Sequence, residues 1–321
     1  EQIDQLFATA GNTTFAKYAK LSASLQPLLL LLHPNYTNYD IETLFEGVTL
    51  EQFTTAYKKA YNEAKDEETK NWLNHLLMNT IMPKSFESLQ NSSYTNSSDK
   101  LRKDTTLKQI QEIYNTLAPI TLEADLATLQ AKKYELEYYY YLREVATLTG
   151  VKNTINQTTV FAKNVTVEDV NKLFSTWNAE AETVNYYARS ITSLEKTVTL
   201  AASLQPISKL LHEKYTNSNE PLLAEGATLQ QLVTAYKQVQ QGTEDELIQQ
   251  WLNQLVLNTL ISKPFNELEK EDYENYSDRL KEDVTLETIQ TIYTTLAPIV
   301  PTQYASRLEN EKYEYEYYYY L

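Results

Sequence analysis

The sequence predicts an all-α protein, and three observations carry that expectation. Glycine and proline are scarce, 5 and 9 in 321 residues, leaving few of the breakers that strand-rich folds use at their turns. A threonine-led helix-start motif recurs five times. Apolar residues fall at helical spacing behind those starts, in stretches closed by proline.

The motif reads Thr, apolar, two polar, apolar, with an aromatic residue one turn later. It occurs at Thr49-Leu50-Glu51-Gln52-Phe53, Thr106-Leu107-Lys108-Gln109-Ile110, Thr166-Val167-Glu168-Asp169-Val170, Thr228-Leu229-Gln230-Gln231-Leu232 and Thr285-Leu286-Glu287-Thr288-Ile289. The aromatics are Tyr57, Tyr114, Phe174, Tyr236 and Tyr293. Threonine caps a helix by accepting a free backbone N–H, and the glutamine at the fourth position in three of the five closes a capping box. Glu1 to Phe7 fits the same motif without its threonine, aligning on Glu168 to Phe174.

The chain also contains itself twice. Lys20 to Leu142 aligns without a gap on Thr199 to Leu321 at an offset of 179 residues, with 60 of 123 positions identical. Upstream the offset is 167, so the second copy carries 12 extra residues near Asn178 to Arg189. The motif spacings of 57, 60, 62 and 57 residues divide each copy into three helical-hairpin-like units. The expected organisation is a tandem duplication of a multi-helix domain: residues 1–149, a connector at 150–165, and residues 166–321.

Along each copy the remaining signals are local. Leu-Gln-Pro at Leu25 and Leu204, and Leu-Ala-Pro at Leu117 and Leu296, read as helix stops, because proline removes a donor and disfavours helix in the residue before it. Asn35 to Asp40 and Asn91 to Ser98 are polar loops. Asp66-Glu67-Glu68 and Glu244-Asp245-Glu246 precede the helices that carry Trp72 and Trp251, where negative charge complements a helix N-terminus. Leu122, Leu126, Leu129, Leu136 and Tyr140 are spaced for one long helix running into the tyrosines.

Composition removes several function classes. A net charge of −15 without a basic stripe argues against nucleic acid, whose phosphates need clustered Lys and Arg. The longest apolar run, Leu28 to Leu32, has 5 residues, against the ~20 that a membrane span requires. With no cysteine, disulfides and thiolate chemistry are excluded, although the compartment stays open. No initiator Met is present and Glu1 lies inside a helix-start motif, so the chain reads as processed or continuing upstream.

Catalytic signatures are missing: no phosphate-binding glycine loop, nucleophile elbow or zinc pattern is present. His33 and His212 occupy matching positions but lack neighbouring ligands at helical spacing, which favours a helix-terminal role near the carbonyl end of the dipole. No enzyme activity, cofactor or metal is expected. N-glycosylation sequons stand at Asn12, Asn35, Asn91, Asn96, Asn156, Asn164 and Asn275. The glycan candidates are Asn35, Asn91, Asn96, Asn156, Asn164 and Asn275, and they point to an extracellular or cell-surface glycoprotein.

Both copies close on Tyr-Tyr-Tyr-Tyr-Leu, at Tyr138 to Leu142 and Tyr317 to Leu321. Such a run is an aromatic contact surface, a helix sandwiched within its own domain, or a strand, since Tyr313 to Tyr317 alternates with period two. The upstream spacing favours helix. Tyr317, Tyr318, Tyr319 and Tyr320 are the interface candidates, with Tyr138 to Tyr141 expected to be covered within the chain. The functional expectation is a secreted or cell-surface structural or interaction protein: a surface-layer, filament or adhesion component. It would act by self-association or by binding repetitive partners. The alternative is a helical module enclosing a small apolar or aromatic ligand in each copy.

Overall fold

A computed structural model describes residues 2–8, 13–38, 40–178 and 185–321. The described residues are 65% helical, and the four β-bridges among them are isolated pairs, not a sheet. The all-α class holds.

The chain divides into two compact units that are not contiguous in sequence. The first comprises Glu1–Thr147 and Thr176–Leu194, the second Leu148–Ser175 and Glu195–Leu321. In chain order the first unit holds α1 (Gln2–Leu6), α2 (Thr14–Leu29), α3 (Leu50–Glu63), α4 (Glu67–Leu76), α5 (Met82–Glu87), α6 (Leu107–Leu117) and nearly all of α7 (Leu126–Thr149). The second holds α8 (Val167–Phe174), most of α9 (Tyr186–Ser208), α10 (Leu229–Gly242), α11 (Glu246–Leu255), α12 (Lys263–Asn266), α13 (Leu286–Leu296) and α14 (Ala305–Tyr320).

Helix starts follow the threonine motif. Thr49, Thr106, Thr166, Thr228 and Thr285 each sit at the N-cap in extended conformation and accept the backbone N–H three residues on. Gln52, Gln109 and Gln231 close capping boxes, as does Asp169, which the sequence reading had not counted. Gly47 and Gly226, two residues ahead of Thr49 and Thr228, hold φ at 82° and 77°, a region other residues enter only with strain. Asp66 and Asp245 cap α4 and α11 through their carboxylates.

Each unit has its own core. Phe53, Leu73, Phe86 and Ile110 are fully buried in the first, and Leu232, Leu252, Phe265 and Ile289 in the second. These are the same positions at the offset of 179. Two finer features recur at that spacing. The helix widens into a π turn at Leu77–Ile81 and at Val256–Leu260. A lysine side chain then clasps the loop after the first long helix: Lys84 donates to the Asn38 and Ile41 carbonyls, and Lys263 to those of Asn217 and Ser218.

Two expected boundaries move. α2 and α9 run through Pro27 and Pro206 to Leu29 and Ser208 instead of stopping before them. So close to a C-terminus proline forfeits a single hydrogen bond, and burial of the next residue, Leu28 or Ile207, holds the last turn in place. Leu122 lies outside α7 and is exposed, separated from it by a 3-10 turn at Glu123–Asp125. The Leu-Ala-Pro stops stand as expected, with α6 and α13 giving way to 3-10 turns at Ala118–Ile120 and Ala297–Ile299.

Replacing Thr49 or Thr228 by Ala should cost about 0.5–2 kcal/mol, and Thr→Ser should restore most of it, because the hydroxyl alone satisfies the orphan N–H. The check is a lowered urea midpoint with unchanged slope.

Candidate functional site

Helical geometry decides what the tyrosine runs can do. Successive residues turn by about 100°, so four adjacent rings point to nearly every side of the helix. The useful set is a stripe at i, i+4, i+7: Tyr134, Tyr138 and Tyr141 on α7, and Tyr313, Tyr317 and Tyr320 on α14. The sequence reading took the runs as blocks and did not single out this stripe, although the spacing was there to be read. Both runs are helical, which removes the strand reading of Tyr313 to Tyr317.

In the first unit the stripe is covered. Trp177 stands edge-on to Tyr134 and Tyr141, with ring centroids 6.0 and 6.2 Å away. Its indole N–H donates to Thr192 Oγ1 at 3.1 Å, and the Tyr141 hydroxyl pairs with Thr176 Oγ1 at 3.3 Å. Tyr187 packs on Tyr138 and Tyr139 at 5.9 and 6.3 Å. Edge-on and tilted rings at such distances attract through their quadrupoles, adding about 0.5–1.5 kcal/mol per pair beyond burial. Under this cover Tyr134 is 6% and Tyr141 1% exposed. Burial, reinforced by Tyr186 and Tyr139, raises the Tyr138 pKa.

The next ring inward is pinned by a cation in both units. Lys100 Nζ lies 4.1 Å from the Tyr139 ring centre and 3.2 Å from Glu135. At the positions matching Lys100, Tyr139 and Glu135, the Arg279 guanidinium lies 4.3 Å from the Tyr318 ring and 3.7 Å from Glu314, and it also pairs with Glu269 at 2.7 Å. Tyr318 also stacks on Tyr276, nearly parallel at 5.7 Å. Burial, together with a hydrogen bond donated to Glu314, pushes the Tyr318 pKa up to about 12.

On α14 the stripe is bare. Tyr313 is 53% and Tyr320 72% exposed, and Tyr317, Tyr319 and Leu321 are exposed beside them. Of the four interface candidates, Tyr318 is turned into its own unit while Tyr317, Tyr319 and Tyr320 face solvent.

The other candidates are spread over loops. Asn35, Asn156, Asn164 and Asn275 are exposed and outside any helix; Asn91 and Asn96 are half-buried. Asn12 lies outside the described residues. The Asn91 amide donates to the Asp99 and Leu101 carbonyls at 2.6 and 3.1 Å, so a glycan there would displace one loop-closing bond. The Asn156 side-chain oxygen Oδ1 instead accepts from Thr158 and Thr159 in a local turn. His33 and His212 fall past the ends of α2 and α9, where Nδ1 accepts the backbone N–H of Asn35 and of Lys214. Each histidine thus ties a turn just past a helix end. Among the described residues no three His, Asp or Glu side chains gather as a metal site, and no helix is long and apolar enough to cross a membrane.

A groove of about 520 Å³ opens in the first unit beside Asp40, Glu42, Thr43, Lys84, Glu87 and Arg102. Ile41, Leu44, Val48, Leu50 and Ile113 also line it, and neither tyrosine run does. No protein-family model matches the chain, and no curated protein or solved structure matches it either.

Glu137, between the rings of α7, is 2% exposed and 3.3 Å from Lys133. Burial raises its carboxyl pKa above the ordinary 4.5, against the pull of Lys133. The folded state thus holds this proton to higher pH than the unfolded state does. Stability is lost as pH rises from the unfolded value through the folded one, then levels off. Glu137→Gln does not titrate, so its stability relative to wild type should climb across that window. Urea midpoints of both proteins between pH 4 and 7 measure this.

Proposed function

We propose that this protein is a secreted or cell-surface structural or interaction protein that works by associating with copies of itself or with a repetitive partner. The observation that carries the reading is the bare i, i+4, i+7 tyrosine stripe on α14, set against its covered counterpart on α7. Each tyrosine offers about 150–250 Å² of rigid amphipathic area at low entropic cost, which is why such rings gather at interfaces. Three of them beside Leu321 form a contiguous patch of the kind that marks a contact site. Two similar units in one chain also allow a repetitive partner to be held at two points, with the gain in avidity that linkage brings. Exposed sequons at Asn35, Asn156, Asn164 and Asn275 support the extracellular setting and N-linked glycans.

The test is sedimentation velocity over a wide concentration range on material isolated from its source, with intact mass measured on the same sample. Growth in mass with concentration, and a mass above the 37.1 kDa of the bare polypeptide, are the expected results. A dispersed monomer at every concentration would remove self-association, and the bare mass would remove the glycans and with them the argument for secretion.

A further inference from the structure

Independently of the self-association reading, we infer that the groove of the first unit binds a small monocarboxylate with an apolar body, whose carboxylate accepts the Thr43 backbone N–H. The second unit supplies the precedent, because there a carboxylate of the chain itself takes that position. Thr43 matches Leu222 at the offset of 179, and Ser88 matches Glu267. The Leu222 N–H donates to Glu267 Oε1. Ser88 brings no carboxylate to Thr43, and its hydroxyl donates instead to the Ser85 carbonyl at 2.7 Å. Among the described residues no acceptor meets the Thr43 N–H, although Thr43 is only 8% exposed and lines the groove.

The frame around the two N–H groups is the same. The His33 N–H donates to the Thr43 carbonyl at 3.0 Å, and the His212 N–H to the Leu222 carbonyl at 2.9 Å. In a longer antiparallel ladder the His33 and His212 carbonyls would accept in return. They are instead committed to turns, accepting from the Tyr36 and Tyr215 N–H groups at 3.0 Å each. Each bridge therefore ends on a donor that needs an acceptor from elsewhere. Lys84 and Lys263 tie the loops alike to the helices that follow. The backbone at the deciding position is tied alike too: Arg102 Nη1 donates to the Ser88 carbonyl at 3.0 Å, and Lys281 Nζ to the Glu267 carbonyl at 2.5 Å.

The lining sets the rest of the ligand. At about 520 Å³ the groove falls within the range of small-molecule sites. Ile41, Val48 and Ile113 offer an apolar wall for the body of the ligand. The matching positions in the second unit are Glu220, Ala227 and Ile292, so that wall belongs to the first unit. Lys84 and Arg102 stand on the rim against Asp40, Glu42 and Glu87, and Arg102 is already paired with Asp104 at 3.1 Å. Three carboxylates against two cations repel a dianion such as phosphate or a dicarboxylate, because like charges brought together cost free energy. A single carboxylate avoids most of that repulsion and gains a charge-assisted bond from a donor that burial otherwise strands.

The experiment titrates the full chain, labelled with nitrogen-15 at threonine, with hexanoate and with 1-hexanol as the neutral control. The Thr43 amide signal is assigned by its loss in Thr43→Val. Hexanoate should move that signal saturably downfield, and hexanol should bind roughly tenfold or more weakly. Ser88→Glu rebuilds the arrangement of the second unit at an exposed position. Its Thr43 signal should stand downfield without any probe, and hexanoate should bind it roughly tenfold or more weakly than wild type. A Thr43 signal that stays still throughout the hexanoate titration overturns the inference. An equal response to hexanol overturns the carboxylate, and undiminished hexanoate binding by folded Ser88→Glu places the anion elsewhere. If Ser88→Glu fails to fold by far-UV circular dichroism, the two wild-type titrations still decide. None of these outcomes bears on self-association, which sedimentation tests separately.

Discussion

A helix that carries aromatic rings on all sides cannot be satisfied by one neighbour. α7 and α14 each press one flank into a core, through Leu129 and Leu136 in the first unit and Leu308 and Tyr315 in the second. The ring stripe turned away from that core then needs a second cover or remains in water. Much of the arrangement follows from this constraint. Cations over Tyr139 and Tyr318 secure the inner rings, using the ring face as a weak anion while carboxylates complete the charge balance. Only the outer stripe is left open to choice, and the two units meet that choice differently.

The same constraint explains why the compact units are interleaved in sequence. Thr176–Leu194 belongs with the first unit although it aligns with the start of the second copy. Covering the Tyr134–Tyr138–Tyr141 stripe brings together three tyrosines, Trp177 and Tyr187, and hydroxyl partners at Thr176 and Thr192 satisfy the polar atoms that burial strands.

Around this centre the scaffold is held by short-range devices. Threonine and aspartate caps fix where helices begin. Isolated bridges at Leu32–Leu44 and Leu211–Leu223 close the loops that follow the first long helix, and Lys84 and Lys263 tie those loops to the helix beyond. These devices leave backbone polar groups paired without a sheet, and so let a glycine-poor chain turn repeatedly.

The caps were legible because a cap is a contact between residues three apart, and its ingredients are printed side by side in the sequence. Fold class followed from the same locality, together with the scarcity of glycine and proline. The proline stops at Pro27 and Pro206 misled because a tertiary contact of the following residue, Leu28 or Ile207, opposed the local preference and won. Leu122 misled because heptad spacing extends past a helix end as easily as within it. By itself, then, the sequence determined the helical class, the threonine-capped helix starts and the recurrence at 179 residues. Only the tertiary structure decided which tyrosines are buried. Trp177 and Tyr187 lie more than 35 residues from the α7 rings they cover, and no local pattern encodes a contact made across that distance.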